Sequence, residues 1–255
     1  MLTLPLLDSS QPGHFPDPRN ALRDPNGLLA FGGDLSPERL MAAYAQGIFP
    51  WFNEDDPPLW WSPDPRCVFH TADLGMNRSL RRQLAGKSWR LTIDHAFRQV
   101  VEACAAPRPG QAGTWIVPAM MDAYTTLHEL GHAHSVEVWD GNDLVGGIYG
   151  IAIGRLFCGE SMFSRQSGGS KLALIALARL LQGWEFPIID AQVSNPHLLS
   201  LGASEYSRAR FLRTVAQLSQ LPGQPGSWRE FTPILLSLMP SIDQRTAASP
   251  DHPIY

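Results

Sequence analysis

The sequence predicts an α/β (α+β) protein with a small irregular N-terminal domain and a larger domain of alternating strands and helices. Residues 1–64 are crowded with Pro, Gly and Trp, which favour turns, whereas strand and helix signals alternate after Pro65. With 255 residues, 44% of them hydrophobic and 17% charged, the chain can bury a substantial core. We therefore predict domains at 1–64 and 65–236, followed by a mobile tail at 237–255.

Composition excludes several classes of protein. A net charge of −4 argues against a generally basic nucleic-acid coat but permits a local basic face. The N-terminus lacks a basic residue before its short apolar run, and no apolar segment reaches the roughly 20 residues that a membrane span needs. We expect a cytoplasmic protein with no membrane partner. The cysteines are odd in number and widely separated, which favours buried thiols over disulfides or a zinc site: Cys67, Cys104 and Cys158.

Helix and strand signals follow one another along the chain. Ser36, Pro37 and Gly47 predict a helix over 37–46, because they suit its N-cap, first position and end. Further helices are predicted at 77–85, 118–130 and 170–182, with a short one opened by Asn195 and Pro196. Strands are predicted in the runs RLTI, VEVW, LVGGIYG, IAIGRLFCG and FPIIDAQV, of which VEVW and LVGGIYG flank a hairpin turn.

The stretch HELGHAH begins with H-E-x-x-H, the pattern in which two histidines one helical turn apart bind zinc. Both histidines must then lie on one continuous helix. Gly131 separates them, and the following residues alternate like a strand, so we expect the helix to end there and His128 and His132 to diverge. The zinc-hydrolase hypothesis is therefore weaker than the other functional hypotheses given below.

The segment RQSGGS, Arg165 to Ser170, is similar to the loop with which acyl-CoA-dependent transferases of the GNAT superfamily bind pyrophosphate at a helix N-terminus. Its last small residue is serine, so the match is imperfect. The alternative is that Gly168 and Gly169 only turn the chain and Ser170 caps the next helix. The loop alone supports both interpretations.

Asp190 and Gln192 lie at the end of an apolar strand, where alternation places both side chains on one face about 7 Å apart. One interpretation is a structural network in which a neighbouring Arg or the backbone satisfies the buried carboxylate. The other is a carboxylate and an amide that orient an amine nucleophile and a polarised carbonyl. Glu160 is a second acid that emerges from an apolar strand, beside Met162 and Phe163.

Aromatic and basic residues point toward nucleic acid, with alternatives. Trp51, Trp60 and Trp61 could stack on bases or pack between domains. Three arginines share one face of the helix predicted at 77–85, which suits either a phosphate backbone or plain solvation: Arg78, Arg81 and Arg82.

Long motifs together resemble the leucyl/phenylalanyl-tRNA–protein transferase family. They occur in order between about residue 15 and about residue 215: PNGLLAFGGDLSPERL, YAQGIFPWF, LWWSPDPR, GTWI, LHELGHAHSVEVW, LVGGIYG, LFCGESMFS and DAQ-x-x-N-x-H-L-x-S-L-G-A. The resemblance implies a GNAT-like acyltransferase domain with a mixed β-sheet after the N-terminal domain. It also identifies HELGHAH as a signature of a family that does not use zinc.

The resemblance implies an activity and its partners. Leu, Phe or a similar hydrophobic residue would move from aminoacyl-tRNA to the α-amine of a protein with N-terminal Arg or Lys, marking it for bacterial N-end-rule degradation. No metal and no cofactor are implied, and we expect a monomer. Two rival hypotheses are an acyl-CoA acetyltransferase that binds CoA at RQSGGS and a tRNA- or peptide-binding module without catalysis.

Site residues carry over by position in the motifs. Asp190 and Gln192 match the reaction centre, and Glu160 matches a polar residue of the amino-acid pocket. The walls of that pocket would be Ile148, Phe157, Met162, Ser164 and Leu177. Trp51 and Trp115 match positions near the terminal adenosine of the tRNA. Arg78 and Arg82 match positions that face the acceptor stem.

Some positions depart from the family pattern. Ala191 replaces the usual Cys of D-C-Q, but it points away from the Asp190 and Gln192 face, so we expect little effect on chemistry. The loop has Ser167, Gly168 and Gly169 where the family often has Asn-Ala. Ile148, Leu177 and Leu181 are unusual at pocket positions, which leaves the preference among donor side chains open.

Overall fold

The computed structural model describes residues 4–107, 116–237 and 239, which form two β-sheets and the helices that cover them. The prediction of an α/β (α+β) protein is confirmed. The tail predicted at 237–255 lies outside the described residues except for Ser237 and Met239, and Met239 is buried. Among the described helices, none combines the length and apolar character that a membrane span requires.

The N-terminal sheet has four short strands in the order β1-β2-β4-β3. They are β1 (Leu6–Leu7), β2 (Leu28–Gly32), β3 (Phe49–Pro50) and β4 (Leu59–Trp61), and helix α1 (Pro37–Tyr44) lies between β2 and β3 in the chain. The sequence predicts turns here and misses these strands. The reason is their length of two to five residues, which is too short for an alternating pattern to stand out.

The main sheet has seven strands in the order β11-β5-β10-β9-β8-β7-β6. They are β5 (Arg66–His70), β6 (Trp89–Ile93), β7 (Ala133–Asp140), β8 (Asp143–Ile153), β9 (Leu156–Ser164), β10 (Ile188–Gln192) and β11 (Ser204–Tyr206). The β9–β10 pair is parallel, whereas the other neighbours are antiparallel, so the predicted mixed sheet is confirmed.

Helices cover both faces of the main sheet. They are α2 (Arg78–Leu84), α3 (Phe97–Ala105), α4 (Pro118–Glu129), α5 (Gly169–Gly183), α6 (Pro196–Ser200), α7 (Arg208–Leu218) and α8 (Thr232–Ser237). One apolar core joins α1, α3, α4 and α7 to the N-terminal sheet. A second core lies on the other face around α5, whose sequence is apolar on nearly every side because it is buried.

Several helix boundaries follow the capping signals in the sequence. Ser36, Asn77 and Asn195 each accept a hydrogen bond from the backbone N–H three residues later, at the start of α1, α2 and α6 respectively. Such a bond satisfies one of the N–H groups that a helix start leaves without an internal partner. The predicted helices are therefore confirmed to within a few residues.

The run IAIGRLFCG was predicted as one strand, and this prediction is wrong. β8 ends at Ile153, the chain turns at Gly154 with φ of +54°, and β9 begins at Leu156. A Cβ on Gly154 would lie 2.3 Å from the Leu218 carbonyl oxygen, so the turn packs tightly under the end of α7. A single Gly-Arg pair between two apolar runs is a weak signal, and apolarity alone made the two strands look continuous.

Candidate active site between two parallel strands

The histidines of HELGHAH diverge as predicted. α4 ends at Glu129, and Gly131 has φ of +78°, so His128 lies in the last helical turn while His132 lies beyond the helix. The His128 ring stacks on Phe97 with centroids 4.3 Å apart, and its Nδ1–H donates to the Ala133 carbonyl at 2.8 Å. Across the described residues, no group of three or more His, Cys, Asp or Glu side chains is arranged to hold a metal ion.

The third histidine of the stretch is a core residue. His134 Nδ1–H donates to Asp94 Oδ2 at 2.8 Å, and the ring stacks on Trp228 with centroids 3.6 Å apart. Burial lowers the pKa of His134, against the opposing effect of Asp94, so the imidazole is neutral near neutral pH. The motif therefore attaches β7 to the segment around Trp228.

The parallel strands β9 and β10 pair over only three residues. Their register runs from Ile188 opposite Leu156 to Asp190 opposite Cys158. Glu160 and Gln192 each lie two residues beyond that last pair, and Gln192 Nε2 donates to Glu160 Oε1 at 2.7 Å. We call the space between the strands beyond Asp190 and Cys158 the strand gap. A carboxylate and an amide that are far apart in sequence thus meet at its edge.

Gln192 breaks the regular strand predicted for β10. It has φ of +61°, and the pairing with β5 shifts between Asp190 and Gln192, so that Ala191 has no opposite residue. The predicted alternation therefore holds only as far as Asp190. The Gln192 backbone N–H donates back to Asp190 Oδ1 at 2.9 Å, which fixes the kink. Its side-chain carbonyl oxygen accepts no hydrogen bond from the described residues and is not sealed from solvent.

Asp190 is fully buried and fully partnered. Arg66 Nε donates to Asp190 Oδ1 at 2.8 Å and Arg66 Nη2 donates to Oδ2 at 2.7 Å, in the bidentate geometry that suits guanidinium and carboxylate. The guanidinium lies between the rings of Phe49 and Phe211, 4.8 and 4.4 Å from their centroids. The structural interpretation of Asp190, an ion pair with a neighbouring Arg, is therefore realised.

Arg66 was not among the predicted site residues. The sequence does contain a signal for it. Arg66 opens the buried run RCVFH, and a buried arginine needs a buried anion as its partner. Asp190 was the natural partner, since it was predicted on another apolar strand.

Glu160 is buried beneath two tyrosines. Tyr44 OH donates to Glu160 Oε1 at 2.8 Å and Tyr124 OH donates to Oε2 at 2.6 Å, while the two hydroxyls lie 3.0 Å apart. Burial and the charge of Asp190 raise the pKa of Glu160 to about 7, although these hydrogen bonds and that from Gln192 favour the ionised form. Glu160 is therefore poised to change charge near neutral pH. The tyrosines, on α1 and α4, were not predicted.

The predicted apolar pocket walls lie on the opposite face of the sheet, against α5. Ile148, Phe157 and Leu177 are buried in one cluster, and Met162 packs against it. Ile148 lies opposite Met162 in the pairing of β8 with β9. These four side chains lie together, but on the opposite face of the sheet from the Glu160 carboxylate, so their role as walls of an amino-acid pocket stays a prediction.

Ser164 has a different environment from the other pocket residues. It is exposed at the end of β9, where its Oγ accepts from the Ser170 N–H at 2.7 Å and donates to Ser170 Oγ at 2.9 Å. Ser164 therefore caps α5, and Ser170 does not act as the predicted cap.

The loop RQSGGS turns the chain and leaves little room for a phosphate. The Gly169 N–H donates to the Gln166 carbonyl and the Ser170 N–H donates to Ser164, so these helix-start donors are already used. Gly168 has φ of +96°, and a Cβ on Gly169 would lie 2.7 Å from the Val145 carbonyl oxygen. The geometry favours the turn interpretation over the acyl-CoA interpretation.

The predicted arginines form an exposed basic face on α2. Arg78, Arg81 and Arg82 line one surface depression, and the ion pairs found among the described residues include none of them. α2 lies beside the end of β9, because Gln83 Nε2 donates to Ser167 Oγ in the loop that follows that strand. The basic face therefore lies near the loop that joins β9 to α5.

Trp51 is 42% exposed. It lies two residues after Phe49, whose ring contacts the Arg66 guanidinium. The Trp51 ring packs against Trp61, with ring centroids 5.5 Å apart. Trp60, by contrast, is fully buried. Trp115 lies outside the described residues.

The mixed sheet, the gap between its parallel strands and the polar cluster at that gap together form the candidate active site. The comparisons with known proteins give the family. Models of the leucyl/phenylalanyl-tRNA protein transferase and of its N-terminal domain match residues 68–216 and 33–64. The chain belongs to this family, and it is an aminoacyltransferase that uses aminoacyl-tRNA and protein substrates.

Individual relatives agree with this assignment. A leucyl/phenylalanyl-tRNA–protein transferase of Xanthomonas axonopodis pv. citri is 60% identical over 224 residues, which are 88% of this chain and 90% of the relative. One from Shewanella baltica is 55% identical over 214 residues, or 84% of this chain and 90% of the relative. A solved C-terminal domain of a putative lysylphosphatidylglycerol synthetase from Agrobacterium fabrum is 10% identical, with a TM-score of 0.39. The match covers 81% of this chain and 63% of that chain.

Proposed function

We propose that the enzyme transfers Leu, Phe or a similar hydrophobic residue from its tRNA ester to the α-amine of a protein whose first residue is Arg or Lys. The product would be marked for bacterial N-end-rule degradation. The observation that carries the proposal is the bridge between Gln192 and Glu160 at the strand gap, which leaves the Gln192 carbonyl oxygen accessible. That oxygen is an acceptor for an N–H of the incoming amine.

In the proposed reaction the amine nitrogen attacks the ester carbonyl carbon. The new C–N bond forms an amide, the C–O bond to the terminal ribose breaks, and the amine proton ends on the ribose oxygen that leaves. An ester is already activated, so holding the two reactants in line supplies much of the acceleration. Gln192 is well placed to hold the amine, because Glu160 and Asp190 fix its side chain and its backbone N–H.

Asp190 acts in this proposal as an organiser of the site. Its two oxygens accept hydrogen bonds from Arg66 and from the Gln192 backbone, and the residue has no exposed surface. A carboxylate in that position cannot reach the amine without losing its partners. Asp190 therefore positions Gln192, and the alternative of direct proton removal by Asp190 fits the geometry less well.

The donor would reach the gap from two sides. Its hydrophobic side chain would enter between Met162, Ile148 and the α5 face, where the adaptable thioether of Met162 is only partly buried. The terminal adenosine would stack on Trp51, with Trp115 as the second predicted ring. Arg78 and Arg82 would contact acceptor-stem phosphates, since they are exposed and the ion pairs of the described residues do not include them.

Transfer of labelled leucine from leucyl-tRNA to peptides tests the proposal. We expect product with peptides that begin with Arg or Lys, none with a peptide that begins with Gly, and the same rate after treatment with EDTA because no metal takes part. Replacing leucyl-tRNA with labelled acetyl-CoA in the same assay tests the acetyltransferase alternative. Absence of transfer to the Arg peptide with every hydrophobic donor would refute the proposed reaction.

A further inference from the structure

Glu205 is a carboxylate near the strand gap that the reaction proposed above does not use. In the pairing of β11 with β5 it lies opposite Cys67, and Cys67 lies opposite Gln192 in the pairing of β5 with β10. The three residues therefore form one row across the sheet. Neighbouring strands lie about 4.8 Å apart, so the Cα atoms of Glu205 and Gln192 are separated by about 10 Å.

A hydrogen bond draws the Glu205 carboxylate toward the reaction centre. Ser194 Oγ donates to Glu205 Oε1, and Ser194 is the second residue after Gln192. The charges agree with this placement. Burial raises the pKa of the Cys67 thiol to about 11, and Asp190 and Glu205 add to the effect, so the two carboxylates flank Cys67.

Glu205 differs from Asp190 in that no cation among the described residues pairs with it. The residue is exposed, and the ion pairs within the described part of the chain do not include it. The nearby Arg210 lies with its guanidinium 3.5 Å from the centroid of the Tyr206 ring. An oriented carboxylate that faces solvent is suited to pair with a cation that arrives on a substrate.

We infer that Glu205 is a specificity-determining residue that binds the cationic side chain of the acceptor's first residue, Arg or Lys. This inference rests on the proposed function. With the α-amine at the Gln192 carbonyl oxygen, an extended Lys or Arg side chain carries its charge about 6 Å beyond Cα. That length spans much of the distance to the carboxylate held by Ser194.

The test compares acceptor peptides that differ only in their first residue: Arg, Lys or norleucine, which is uncharged and similar in length to Lys. For Glu205→Gln we expect the KM for the Arg and Lys peptides to rise about tenfold, with kcat and the KM for leucyl-tRNA nearly unchanged. The matched control is Glu185→Gln, which also removes an exposed negative charge. Glu185 precedes the first residue of β10, at the end opposite Gln192, so the change should leave these KM and kcat values unchanged.

Charge reversal gives a second, independent readout. Glu205→Lys should transfer leucine to a peptide that begins with Glu several-fold faster than the parent enzyme does, and to the Arg peptide more slowly. An unchanged KM for the Arg peptide in Glu205→Gln, measured against an active parent, would overturn the inference and leave the proposed function standing. A parent enzyme that transfers nothing to the Arg peptide would instead refute the proposed function.

Discussion

The polar cluster at the strand gap and the basic face of α2 differ in whether their charged groups are buried and paired or exposed and unpaired. Asp190, Arg66 and Glu160 are buried and each has partners inside the protein, whereas Arg78 and Arg82 face solvent and pair with no anion in the described part of the chain. A buried, partnered group has one geometry, which suits the positioning of reactants. An unpaired surface cation attracts phosphates over a distance, which suits substrate capture. The comparison predicts that changes in the first region alter turnover and stability, and changes in the second alter tRNA binding.

The largest effect is expected from Asp190→Ala. Loss of the carboxylate leaves Arg66 buried without its anion, which costs about 3–5 kcal/mol of unfolding free energy. Turnover should also fall by up to about a hundredfold, the effect of losing the Gln192 side chain itself, because the Gln192 backbone loses its anchor. Denaturant unfolding and transfer kinetics measure the two effects.

A double variant, Arg66→Met with Asp190→Leu, separates these effects. Apolar replacement of a buried ion pair is often neutral or stabilising, so the fold should regain most of its stability. Transfer should stay low, since nothing then fixes the Gln192 kink. Recovery of both stability and transfer in the double variant would mean that Asp190 serves only the fold.

An intermediate effect is expected from Arg78→Ala and Arg82→Ala. Each change should weaken tRNA binding and lower the slope of log affinity against log salt by about 0.7 to 0.9 per lost phosphate contact. Binding titrations at several salt concentrations measure that slope. Arg155→Ala is the control for loss of an arginine elsewhere, because Arg155 precedes β9 at the end remote from α2 and pairs with Glu185. A slope that stays the same in both arginine variants would refute the phosphate contacts.

The effect most specific to the buried cluster concerns pH and Glu160. Its pKa in the folded protein, about 7, exceeds the ordinary 4.5. The folded state therefore favours the protonated group, and this contribution to stability is present below pH 4.5 and is lost as pH rises through 7.

Glu160→Gln remains neutral at every pH, so the stability of this variant relative to the parent should rise by up to about 3 kcal/mol between pH 4 and pH 8. Unfolding curves of both proteins between pH 4 and pH 8 measure it. Glu185→Gln, at an exposed position, should show no such trend. A difference between Glu160→Gln and parent that does not change with pH would show that the folded pKa of Glu160 is ordinary.

The sequence predicts best what neighbouring residues decide. Ser36, Asn77 and Asn195 cap helices through bonds to N–H groups three residues away, so their signals are local. Partners that are distant in sequence carry no such signal. Arg66 lies 124 positions from Asp190, and Tyr44 lies 116 positions from Glu160, so only the folded sheet shows that they meet.

Irregular geometry was the other source of error. The kink at Gln192 depends on a positive φ that glutamine rarely adopts, so alternation predicted a straight strand there. β11 has three residues and gave no pattern, and without it neither Glu205 nor its row with Gln192 could be placed. The family resemblance named Asp190, Gln192 and Glu160 together, and the structure supplies the bonds among them.

The most direct test of the central claim is the single-turnover rate of leucine transfer to an Arg peptide by Gln192→Ala, measured beside its affinity for leucyl-tRNA. If the Gln192 side chain positions the amine at the strand gap, the rate should fall by about a hundredfold while tRNA affinity stays within about twofold. A parent-like rate in Gln192→Ala would contradict the account.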